Sequence, residues 1–165
     1  MLFVLALVLI SFPGPVHTTA DPSSRFELRW TEATAAEPHK LTFRRVGAGR
    51  EELVREFDRH VEILWSPGGD SFIVNDYEGS DSSRAYVYSS RAPADGHELR
   101  ADLPRELRHA LADAHHGYVA ASSWLSESAV LLKVSGYGGR DETGFDALVK
   151  CRKRDARWSC RAVPR

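Results

Sequence analysis

Apolar residues in this chain fall in short runs separated by turn-forming residues, and within most runs they alternate with polar ones. Phe26-Glu-Leu28-Arg-Trp30 and Leu41-Thr-Phe43-Arg44 have a period of two, which puts one side of each segment in a core and the other in water. Both read as strands of an antiparallel pair, with Gly47-Ala-Gly49 ending the second. Glu51 to Val61 is ambiguous, because Leu53, Phe57 and Val61 also recur at helical spacing; the reading adopted is strand, turning at Asp58. From His60 to Tyr88 the pattern is clearest. A strand runs to Trp65, Ser66-Pro-Gly-Gly69 makes a tight turn, a second strand carries Phe72 and Ile73, Glu78 to Ser83 makes a longer turn, and a third strand carries Tyr86 and Tyr88. Asp21 to Arg25 has no such pattern and reads as a flexible lead.

Only one segment has a helical stripe worth following. Leu103, Leu107, Leu111 and Ala114 line one face of Ala101 to Gly117, where Asp102 can cap, Pro104 suits the first turn and Gly117 stops the helix. Such a helix would pack on a sheet face or cover an edge strand. The fold class predicted is mainly β: antiparallel β-meanders, in two blade-like repeats, with one short α-helix between them.

The two repeats, about 60–90 and 118–150, are matched at one fixed offset. Trp65 aligns with Trp124, Phe72 and Ile73 with Leu131 and Leu132, Gly79 with Gly138, and Tyr86 with Phe145. Trp65-Ser-Pro-Gly-Gly-Asp-Ser-Phe-Ile-Val resembles the blade motif of TolB-like and WD40-like β-propellers, in which a Trp-Ser-Pro-Asp-Gly turn joins two strands of each blade. The resemblance covers one good and one degraded copy, roughly a third of the chain, and departs from the family at Gly68-Gly69, where propellers have Asp-Gly. It implies blade-like sheets and an incomplete propeller, since a closed one needs at least about four blades. It implies no particular activity, because propellers scaffold many unrelated ones.

Ahead of these segments stands an apolar run from Met1 to Ile10, followed by Pro13-Gly-Pro15. The run is about half the length a helix needs to cross a bilayer, and reads as the core of a secretory signal although no Lys or Arg precedes it. Thr18 and Ala20 supply the small residues a signal peptidase accepts, so residues 1–20 are expected to be a signal peptide and 21–165 a single β-rich domain. The expected location is periplasmic or secreted after cleavage, with no transmembrane anchor in the mature chain. Cys151 and Cys160 flank a polar centre at Arg154 to Arg157, so a hairpin about Asp155 and Ala156 sets them opposite each other. A disulfide is the expected state in that compartment.

Charge narrows the partners. With 22 basic and 23 acidic residues and a net charge of -1, no global field favours nucleic acid, which is not expected as a partner. The C-terminal hairpin is locally basic through Arg152, Lys153, Arg154, Arg157, Arg161 and Arg165, with Trp158 among them, and could touch lipid headgroups, cell-wall polymer or an acidic protein. On the predicted helix, His109, Asp113 and His116 share a face that could hold a transition metal, against the plainer reading of a solvated surface. The loop holding Asp76, Tyr77, Glu78 and Asp81 offers oxygen ligands without the spacing of an EF-hand, and Tyr77 and Tyr137 could line a recognition surface. Ser122 and Ser123 lack the Gly-x-Ser-x-Gly elbow, so no catalytic residue and no cofactor is assigned. The function expected is an exported non-enzymatic binding domain for an unknown protein or envelope component, such as an inhibitor or immunity-type protein. The alternative is a small extracytoplasmic enzyme or metal-binding protein.

Overall fold

The computed structural model describes residues 16–33, 37–139 and 143–164, so the apolar run from Met1 to Ile10 lies outside it. Among the described residues, twelve strands follow one another as three antiparallel meanders of four. The first holds β1 (Val16–Ala20), β2 (Phe26–Thr31), β3 (His39–Arg45) and β4 (Glu51–Phe57). The second holds β5 (His60–Trp65), β6 (Ser71–Tyr77), β7 (Ser82–Ser89) and β8 (Ala92–Glu98). A 3-10 turn at Leu99–Asp102 and helix α1 (Arg105–Asp113) lead to the third, made of β9 (His116–Ser126), β10 (Ala129–Tyr137), β11 (Phe145–Arg154) and β12 (Arg157–Ala162). The protein is mainly β, as its alternation predicts, and Glu51 to Val61 is strand with its turn at Asp58 and Arg59.

The meanders pack as layers with the second in the middle, and β6 shows why. Its alternate side chains serve two different cores. Phe72 and Val74 join Leu28, Leu41, Phe43, Val54 and Phe57 of the first meander, with Val61 and Tyr88 of the second. Ile73 faces the other way, into a core with Val119, Val130, Leu132, Val134, Val149 and Trp158 of the third. Polar groups fasten each junction. Arg55 on β4 pairs with buried Asp76 on β6 at 2.7 Å and lies 4.0 Å over the Tyr86 ring. On the other side, Asn75 Nδ2 donates to the Ala121 carbonyl and its Oδ1 accepts the Ala121 N–H, both at 2.8 Å, so the side-chain amide stands in for a neighbouring strand. Trp124 Nε1 donates to the Leu64 carbonyl at 3.0 Å.

The second and third meanders are also joined by backbone, through a parallel seam of two residue pairs, Ser82 with Gly117 and Ser83 with Tyr118. No sheet closes into a propeller. The fixed-offset alignment matches the order of strands but not their register. Trp65 lies opposite Phe72 while Trp124 lies opposite Val130, and Tyr86 lies opposite Val74 while Phe145 lies opposite Gly136.

Two local expectations are corrected. The helix ends at Asp113, because Ala114 is extended (φ -78, ψ 138), so His116 begins β9 instead of lying on the helix. Its apolar stripe is shorter accordingly: Leu103 and Leu111 are buried in the second core and Leu107 packs against it. Asp21 to Arg25 is a tied turn and no flexible lead. The Asp21 carboxylate is buried and accepts the N–H groups of Ser23, Arg25 and Phe26 at 3.2, 2.6 and 2.8 Å. Burial works to raise its pKa, yet those backbone donors win and hold it below the ordinary carboxylate value. Asp21 also explains one turn glycine: Gly69 has φ +73, and a Cβ there would stand 2.3 Å from Asp21 Oδ2. Val16–Ala20 forms β1 and pairs along its length with β2.

Candidate functional site

The residues singled out from sequence are mostly engaged elsewhere. His109 and Asp113 are exposed on α1, while the ring of His116 stacks on Tyr137 at 4.4 Å between centroids. Among the described residues, no group of three or more His, Cys, Asp or Glu side chains could hold a metal ion. Of the acidic loop, Asp76 is the buried partner of Arg55, and burial pushes its carboxyl up while the guanidinium opposes the shift. Glu78 accepts from Arg84 at 3.0 Å. Tyr77 donates to Glu62 at 3.2 Å and stacks on His60, and the Asp81 carbonyl accepts the Gly117 N–H at 2.9 Å beside the seam. Two carboxylates of this loop are thus neutralised by arginines. Tyr137 is about half exposed and lies beside Tyr118, at 6.1 Å between ring centroids.

The arrangement that stands out is the outer face of the C-terminal hairpin. Residues directly opposite in an antiparallel ladder share a face. In β11 and β12 the partners are Lys150 with Arg161, Arg152 with Ser159, and Arg154 with Arg157. Five cations and one hydroxyl therefore stand on one side of a two-stranded ribbon. On the other side, Val149, Cys151 and Trp158 are buried in the core, and Cys151 and Cys160 are register partners joined by the disulfide. Lys150, Arg152, Arg154, Ser159 and Arg161 line a cleft of about 220 Å³.

Among the described residues none of these cations has an ion pair. Exposed Leu148, opposite Lys133 on β10, and exposed Val163 border the hairpin, so the charged ribbon has apolar flanks. Cations gathered on one face in this way can hold negative charge. The outer face of the first meander is built differently. There Arg44 pairs with Glu27 and Arg29 with Glu51, each at 2.6 Å, while the Thr42 hydroxyl donates to Glu51 at 3.1 Å.

Sequence reading identified the basic hairpin but not its sidedness. Lys153 is opposite Trp158, off the cationic face, and Lys150 is on it. Alternation from Lys150 through Arg152 to Arg154 was the available signal. Arg165 lies outside the described residues. No protein-family model matches the chain, and no curated protein matches it.

Proposed function

We propose that the protein is an exported, non-enzymatic binding domain that grips a protein or envelope partner through the outer face of its third meander. The observation that carries this reading is the pairing of cation opposite cation in the β11–β12 ladder, where none of these cations has an ion pair among the described residues. Like charges directly opposite destabilise a sheet, so a sequence that keeps them there favours an external anionic group. The apolar run before Pro13 and the internal disulfide support export, and a signal-peptidase cut after Ala20 would start the mature chain at Asp21. On this reading the second and third meanders act as blade-like scaffolding for the hairpin, and an inhibitor or immunity-type protein is the most concrete form the domain could take. No helix among the described residues is long and apolar enough to cross a membrane.

The test is affinity capture from an envelope extract of the protein's own source, followed by rebinding of the purified partner to wild type and to Arg152→Glu/Arg161→Glu. A single stoichiometric partner, released by salt and not held by the variant, supports the reading. A partner held equally by both proteins, or none at all, overturns it.

A further inference from the structure

Taking the hairpin as the binding face, we infer that the cleft between Lys150, Arg152, Arg154, Ser159 and Arg161 is a site for a multiply charged phosphate-type oxyanion, a phosphomonoester or pyrophosphate group. The inference deepens the binding reading and rests on it. Four cationic side chains line one cleft of about 220 Å³, so its occupant must bring more than one negative charge to balance them. A carboxylate carries a single charge, and its two oxygens are satisfied by one guanidinium fork. A phosphomonoester carries about -1.5 to -2 near neutral pH and presents three acceptor oxygens.

The donors match that demand. Three arginines supply planar forks, Lys150 supplies a point charge, and the Ser159 hydroxyl opposite Arg152 supplies a neutral donor. The site is also set in place before any ligand arrives. Cys151 and Cys160 are bonded at the rung between Lys150–Arg161 and Arg152–Ser159, so the two strands cannot part under their own repulsion. An anion entering the cleft then meets cations already held together, which lowers the ordering cost of binding.

Phosphate of this kind can come from a soluble ester or from the headgroups of a surface, and one experiment separates the two. Full-length protein is titrated with pyrophosphate by calorimetry, and with vesicles of phosphatidylcholine alone or mixed with phosphatidic acid, whose headgroup is a phosphomonoester. Poly-L-glutamate serves as a carboxylate probe. The variant is Arg152→Ser/Arg161→Ser, and Arg29→Ser on the opposite side of the molecule controls for loss of charge alone.

Saturable pyrophosphate binding is expected, falling roughly tenfold or more for each arginine removed from the cleft and unchanged in Arg29→Ser. Retention on the phosphatidic acid vesicles and not on phosphatidylcholine, displaced by pyrophosphate, identifies a headgroup as the source; binding of pyrophosphate without vesicle retention identifies a soluble ester. If poly-L-glutamate binds and pyrophosphate does not, the phosphate site is overturned while the anionic docking face stands. If neither binds, the cleft is no anion site, and capture of a partner that charge reversal does not release would overturn the docking face as well.

Discussion

The outer faces of the first and third meanders are made from the same kind of material, antiparallel strands with charged residues at alternate positions, and they are completed in opposite ways. On the first, Arg44 on β3 has Glu27 on the neighbouring strand β2, and Arg29 on β2 reaches across β3 to Glu51 on β4. On the third, Lys150 faces Arg161 and Arg154 faces Arg157. Paired charges satisfy each other within the protein, and they add little stability because water screens them. Unpaired like charges lower the stability of the ladder that displays them, and the hairpin keeps its geometry through a covalent bond instead. A chain of net charge -1 can therefore carry a strongly cationic face, because net charge reports the sum and not the arrangement.

Exchanging the character of the two faces should separate their roles. The largest effect is expected from Arg152→Glu/Arg161→Glu, which should weaken binding of an anionic ligand about a hundredfold in a titration at constant salt. Next comes replacement of both cysteines by serine, which should lower stability by about 2 to 3 kcal/mol in urea unfolding, with the deficit larger at low salt where the hairpin repels itself most. On the first meander, Arg29→Glu should cost at most about 1 kcal/mol and leave anion binding unchanged.

Smaller and opposite in sign is the single change Arg161→Glu. It sets an acid opposite Lys150 and should raise the urea midpoint, by about 0.5 kcal/mol of stability, while binding weakens. The smallest effect is one of pH. The Arg29 hydrogen bond is the chief cause that holds Glu51 below its ordinary value of 4.5. Its contribution is therefore fully present above that pH and lost as pH falls through the lowered folded value. Glu51→Gln should flatten that part of the acid-side fall in melting temperature, and the third face, which has no such partner, should show no counterpart.

Strand periodicity made most of this architecture legible. Phe26 to Trp30 and Leu41 to Arg44 alternate because each has one face in a core, the run from His60 to Tyr88 is marked by its turns because β6 and β7 serve a core on both faces, and the two cysteines sit opposite because their hairpin turns at Asp155 and Ala156. β8 was not legible. Its sequence, Ala-Pro-Ala-Asp-Gly-His-Glu, has no apolar alternation, since as an edge strand paired only with β7 it buries little beyond Pro93. The tied turn at Asp21 was hidden because its donors are backbone groups, which any sequence supplies. His116 was misplaced for a related reason: a three-and-four spacing of polar residues fits a helix face, and nothing in that spacing reveals that the backbone leaves the helix at Ala114. The cationic face was half visible, in composition but not in register, because which side of the sheet each arginine takes is fixed by pairing.

The middle position of β6 bears on how the chain acquires its shape. Almost every ladder joins strands adjacent in sequence, closed over short loops at small entropic cost, and the β7–β9 seam is the short exception. The first and second meanders can thus form in the order in which they emerge during synthesis, with Phe72 and Val74 covered early. Ile73, Val87 and the amide of Asn75 stay in water until β9 to β12 arrive. A chain stopped short of the third meander would carry that apolar sheet face uncovered, a surface prone to stick to other unfinished chains. The segment that carries the charged hairpin is also the one whose arrival ends the protein's exposure to aggregation.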